Sequence, residues 1–175
     1  NLNHEYVHYL TGRFTMYGPF GHFPGRMVWW SEGVAEYIAR ENDNERATKT
    51  LLKASDDEIP SLLDVFNTEY GDGAERVYQW SYWAVRFLAE KYPEKLVSLK
   101  GDIYKDYFDG YSDQLDELGE TLNTPFQHWL TEQKLTAANN KNADEVAQEK
   151  LPRKVNRYLY PNFLKPTFVE PNWLK

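Results

Sequence analysis

Two short motifs restrict this chain more than anything else in it: HEYVH at residues 4–8 and WWSEGVAE at residues 29–36. On a helix, positions i and i+4 point the same way, so His4 and His8 share one face. The second motif reads as part of a helix over residues 27–41, in which Val28, Glu32 and Glu36 stand one above another, as do Trp29, Gly33, Tyr37 and Arg40. Between the two lies a loop rich in turn residues (Gly18, Pro19, Gly21, Pro24, Gly25), long enough to fold the second helix back on the first. A fold that packs these helices side by side brings two imidazoles and a carboxylate together.

HExxH on a helix is a metal-site pattern. Both imidazoles can reach one zinc ion at about 2.0–2.1 Å, and Glu5, one step round the helix, stands beside a metal-held water rather than on the metal. A hydrolytic zinc needs a third protein ligand and an open fourth position. A third His in the same run is ruled out, because the places it would require hold Thr11 and Phe14. Glu32 is the third ligand on this reading. Glu36, one turn beyond, is placed to accept a hydrogen bond from the far nitrogen of His4 or His8, orienting the ring. Gly33 costs about 1 kcal/mol in a helix interior relative to Ala, which points to a close helix–helix approach at the metal. The bland alternative is a solvated helix with two incidental histidines and an acidic face; the combination of both motifs weighs against it.

Zinc would make hydroxide available near neutral pH, with Glu5 taking the proton of the attacking water and passing it to the leaving nitrogen of an amide. A hydrogen-bond donor to the oxyanion is also required. Tyr70, Tyr78, Tyr82 and His128 are candidates, and spacing does not choose among them. The absence of cysteine removes disulfides, thiolate zinc sites and cysteine nucleophiles. A net charge of -7 argues against a phosphate-neutralising surface, so no nucleic-acid partner is expected. No run of eighteen apolar residues occurs, and no membrane partner is expected either.

The rest of the chain reads as mainly α. Helix is predicted over residues 2–12 and 27–41, followed by a polar stretch to about Asp57 and a short helix from Pro60 through Phe66. Residues 73–92 carry the clearest apolar stripe, Val77, Trp80, Ala84, Phe87 and Leu88. Residues 94–108 and 113–122 read as further helices, and Thr124 as the cap of another running to about Lys134. Residues 138–149 are polar and alanine-rich, which suggests a linker. The tail, with Pro152, Pro161, Pro166 and Pro171, suggests an extended segment. The division is therefore 1–137 for the helical part and 138–175 for linker and tail. Trp29 and Trp30 are expected in helix packing, His22 and His128 outside the metal site, and the acidic run from Asp102 to Glu120 on solvated helix faces.

HEYVHYLTGRF followed by WWSEGVAEYIA resembles the bacterial collagenases, gluzincin zinc metallopeptidases, of the Vibrio type. The resemblance is strongest over residues 1–40 and continues weakly to about residue 135. It implies zinc ligation by His4, His8 and Glu32, Glu5 as general base, and Tyr70, in the segment NTEYGDG, as the residue that assists the oxyanion. It implies a gluzincin-like C-terminal helical subdomain, a secreted enzyme, and collagen or gelatin as substrate. It further implies a Ca2+ site that uses backbone carbonyls of the loop Phe14 to Gly18. The substrate-binding strand and an activator domain would lie before residue 1. The chain, which opens directly into its HExxH helix without an initiator Met, is thus expected to be part of a longer protein and a poor enzyme alone. A peptidase with other substrates, or a non-catalytic collagen-binding fragment, are the competing readings.

Overall fold

A computed structural model describes residues 2–14 and 25–146, and the side chains of 2–10 and 25–140. The described residues are helical and contain no strand. Helices α1 (Leu2–Phe14), α2 (Val28–Arg40), α3 (Glu45–Lys53) and α4 (Leu62–Phe66) are followed by a 3₁₀ turn at Tyr70–Asp72. A π-helical turn (Glu75–Trp80) then leads without interruption into α5 (Ser81–Lys91), and α6 (Pro93–Tyr104), α7 (Phe108–Thr121) and α8 (Asn123–Val146) complete the order. Among the described residues, no helix is long and apolar enough to cross a membrane.

Helix α5 is the central element. Ser81, Tyr82, Trp83, Ala84, Val85, Phe87 and Leu88 are all buried in it, the pattern of a helix covered on every side. Trp83 and Phe87 both pack against Trp129 of α8, and Phe87 also against Phe126. Arg86 escapes this core by lying over the Trp83 and Trp129 rings, where its guanidinium gains a cation–π contact and a hydrogen bond to Gln133. The predicted stripe of Val77, Trp80, Ala84, Phe87 and Leu88 is buried throughout.

Helix α2 lies against α5, and Gly33 sets how closely. A Cβ at Gly33 would stand 2.5 Å from the Ser81 carbonyl oxygen and 2.9 Å from Val85 Cγ2. The close approach expected at the metal is instead one between α2 and α5, because the Gly33 Cα faces the Ser81 backbone and Val85. The start of α2 is pinned to α7: Trp29 Nε1 donates to the Tyr111 hydroxyl, which donates to the Arg26 carbonyl, and the Arg26 guanidinium reaches Ser112 and Asp116. Trp29 and Trp30 are buried, as expected for interface residues.

Several boundaries differ from the sequence reading for identifiable reasons. The polar stretch after residue 41 contains α3, whose core contribution is only Ala47 and Leu51, four residues apart and too sparse a stripe to read. Pro60 precedes the short helix instead of opening it, since Ser61 and Asp64 form a capping box one residue later. Thr124 lies inside the first turn of α8: the Phe126 N–H already bonds the Leu122 carbonyl, and the Asn123 side chain is taken by the Leu62 N–H. Residues 138–146, read as part of a linker, are helical and continue α8. The tail, His22 and most of the loop Phe14 to Gly18 lie outside the described residues.

Candidate metal centre

The HExxH segment lies on α1 with His4 and Val7 buried, His8 half-buried and Glu5 exposed. Val7 joins the core and seats that face of α1 on α2. Glu32 is buried on the facing side of α2. His4 Nε2 lies 3.1 Å from Glu32 Oε2, His8 Nε2 lies 3.3 Å from the same oxygen, and the two Nε2 atoms are 2.9 Å apart. Two donors sharing one tetrahedral zinc at about 2.0–2.1 Å lie about 3.3 Å apart, so this triangle matches a single small ion in size as well as in donor type. Among the described residues, this is the group of side chains close enough to hold a metal together.

Around the three donors stands a layer of polar partners. Glu36 Oε1 is 3.0 Å from His4 Nδ1, the ring nitrogen that faces away from Glu32. Glu36 Oε2 accepts from Asn44 Nδ2 at 2.9 Å and from Arg40 Nε at 3.2 Å. On the other imidazole, Ser31 Oγ lies 3.4 Å from His8 Nδ1. The Tyr70 hydroxyl donates to Glu32 Oε1 at 2.8 Å, leaving Oε2 for the shared point. Tyr78, projecting from the π-helical turn, presents its ring edge-on to His4 with centroids 6.1 Å apart.

The electrostatics follow from this packing. Without metal, the carboxylates of Glu32 and then Glu36 hold the His4 imidazolium pKa up to about 9, against a smaller opposing effect of burial. Burial alone would raise the Glu32 carboxyl, yet hydrogen bonds from His4, His8 and Tyr70 outweigh it and bring it down to about 2. Glu36 is lowered in the same way: burial opposes, while His4 and Asn44 prevail. Burial and the neighbouring Glu32 push the Tyr70 phenol up, keeping it a hydrogen-bond donor at neutral pH. The His4 ring thus lies between two carboxylates that are both held ionised.

The four oxyanion candidates separate clearly. Tyr70 and Tyr78 stand at the site. Tyr82 is fully buried and donates to the Glu41 carbonyl. His128 is an exposed side chain of α8 beside Glu132. Asn44 is the residue that sequence reasoning missed. Its signal was a helix-cap residue directly before Glu45, hidden because the helix it starts was not recognised.

The collagenase family pattern of peptidase M9 matches residues 1–129. The microbial collagenase of Vibrio alginolyticus is 39% identical over 130 residues, covering 74% of this chain and 16% of that protein. That of Vibrio parahaemolyticus is 39% identical over 136 residues, covering 74% and 16%. Collagenase ColA of Bacillus cereus is 25% identical over 174 residues, covering 94% of this chain and 17% of its own. The chain therefore spans about one sixth of the length of these relatives. With a match across well over half of its residues, this chain belongs to the collagenase family of peptidases.

Proposed function

We propose that this chain carries the zinc centre of a metalloendopeptidase that cleaves collagen or gelatin outside the cell. The observation that carries the reading is the convergence of His4 Nε2, His8 Nε2 and Glu32 Oε2 from two helices to within about 3 Å of one another. The family supplies the substrate class: its relatives bear the name microbial collagenase. His4, His8 and Glu32 would hold the ion, which when bound supplies Lewis acidity and hydroxide near neutral pH. The loop Phe14 to Gly18, whose carbonyls would meet the Ca2+ implied by resemblance, lies mostly outside the described residues.

The protein's own groups then have distinct tasks. Glu5, exposed and one residue round from His4, is the general base: it accepts the proton of the attacking water and returns it to the departing amine. Glu36 keeps the His4 ring oriented by facing its Nδ1. Tyr70, and Tyr78 beside it, offer neutral phenols to the oxyanion formed at the scissile carbonyl; Tyr70 would leave Glu32 to do so. The remainder of a longer protein would supply the substrate-binding strand.

The test is Glu5→Ala in the intact protein that contains this chain. Hydrolysis of a collagen-like peptide should fall by roughly two to four orders of magnitude, with one zinc per chain retained. Undiminished hydrolysis would remove Glu5 from the mechanism. A parent protein that binds collagen without cutting it would replace the enzyme by a binding module.

A further inference from the structure

We propose that Asn44 is a positioning residue of the metal centre: its amide fixes the Glu36 carboxylate against His4 while its carbonyl caps helix α3. The inference rests on the zinc reading above and adds a residue to it. Asn44 is 1% exposed and polar, so both ends of its amide need partners. The Ala47 N–H, an obligate donor in the first turn of α3, lies 3.1 Å from Asn44 Oδ1. That contact settles which way the amide points, since only the oxygen can accept. The NH2 group is thereby committed to Glu36 Oε2 at 2.9 Å. With Oε2 held, the second oxygen is left facing His4 Nδ1 at 3.0 Å. The contact is an ion pair by distance, with the N–H off the line to the oxygen; a carboxylate this close to Nδ1 still favours the proton there and leaves the Nε2 lone pair for the metal.

The backbone is bent to make this contact. Glu41, which ends α2, has φ 50°, a conformation that non-glycine residues adopt rarely. It is held by the Tyr82 hydroxyl of α5, which donates to the Glu41 carbonyl at 2.9 Å. The Asp43 N–H closes the turn on the Arg40 carbonyl. This pinned turn returns Asn44 to the side of Glu36, eight residues back. Arg40 Nε also touches Glu36 Oε2, but from a longer, half-exposed side chain on the same helix. Asn44 is the partner fixed from outside α2.

Asn44→Ser separates the two tasks. Serine caps a helix as well as asparagine does but does not reach Glu36. In the full chain, titrated with zinc against a chromophoric chelator, Asn44→Ser should raise the zinc Kd about tenfold. Its metal-free Tm should fall less than that of Asn44→Ala, which loses the cap too. In a Glu36→Gln background, Asn44→Ser should leave the Kd unchanged. Asn44→Thr, closer in volume and also a cap, stands in if the serine variant does not fold. An unaltered Kd in the Ser or Thr variant would reduce Asn44 to a helix cap and overturn the proposal. So would an equal loss of affinity with and without Glu36. A parent chain that takes up no zinc would defeat the zinc reading itself, an outcome distinct from either.

Discussion

Gly33→Ala tests how the Glu-bearing helix is positioned. In an unconstrained helix interior this substitution stabilises by about 1 kcal/mol, because alanine has less backbone freedom to lose. Here the added methyl would meet the Ser81 carbonyl oxygen at 2.5 Å, its carbon at 2.8 Å and Val85 Cγ2 at 2.9 Å. Two of these are backbone atoms, which no rotamer change moves aside. Overpacking of this kind costs about 1–3 kcal/mol, and the backbone contact places it in the upper part of that range. The net expectation is a loss of about 1–2 kcal/mol, or about 2–8 °C in Tm for a chain of this size. Gly101→Ala in α6 is the internal control, since its Cβ would meet nothing within 4 Å. It should raise Tm by about 2–4 °C at most. Because Glu32 adjoins Gly33, the Gly33→Ala variant should also bind zinc more weakly. Thermal unfolding of the metal-free chain by circular dichroism measures all three proteins. A Gly33→Ala chain as stable as Gly101→Ala would refute the close α2–α5 packing as the reason for the glycine.

Four further outcomes follow from the same geometry. Zinc must displace the proton that His4 keeps up to about pH 9, so zinc affinity should rise about tenfold per unit between roughly pH 7 and 8; a flat profile would contradict the His4–carboxylate contacts. In the metal-free chain the sign runs the other way: the raised His4 pKa contributes stability below about 6.5 that is lost as pH climbs through about 9, visible as a falling Tm. Tyr70→Phe and Tyr78→Phe, compared in the intact protein, should each lower kcat for peptide hydrolysis with little effect on KM, the larger loss marking the principal oxyanion donor; wild-type kcat in both variants would place that donor elsewhere. Tyr111→Phe removes the hydroxyl that joins Trp29 Nε1 to the Arg26 carbonyl, leaving a buried indole N–H unpaired, and should cost about 1–3 kcal/mol in denaturant unfolding, a cost that would vanish if the pin to α7 carried no energy.

Much of the centre was readable from spacing, and the reason is local. His4 and His8 share a face wherever α1 is helical, and Glu32 and Glu36 share one wherever α2 is. The stripe through Val77, Trp80 and Leu88 was equally plain, because burial against several neighbours leaves its period in the chain. Helix α3 left almost no such trace: Ala47 and Leu51 are its only buried residues, and the rest are partly or fully exposed. The π-helical turn is silent in sequence too, since one extra residue per turn has no compositional mark.

Chain order and residue type alone determined which groups of this protein have metal-binding chemistry and which helices carry them. Whether those groups meet was decided only by tertiary packing. Gly33 lets α2 sink against the Ser81 carbonyl, Tyr111 pins its first turn to α7, and the bend at Glu41 brings Asn44 back to Glu36. Each of these contacts joins residues distant along the chain or reverses its direction, and helical periodicity encodes only neighbours within a turn or two. The same limit applies to Tyr70 and Tyr78: both were candidates by type, and only folding set one against Glu32 and the other against His4.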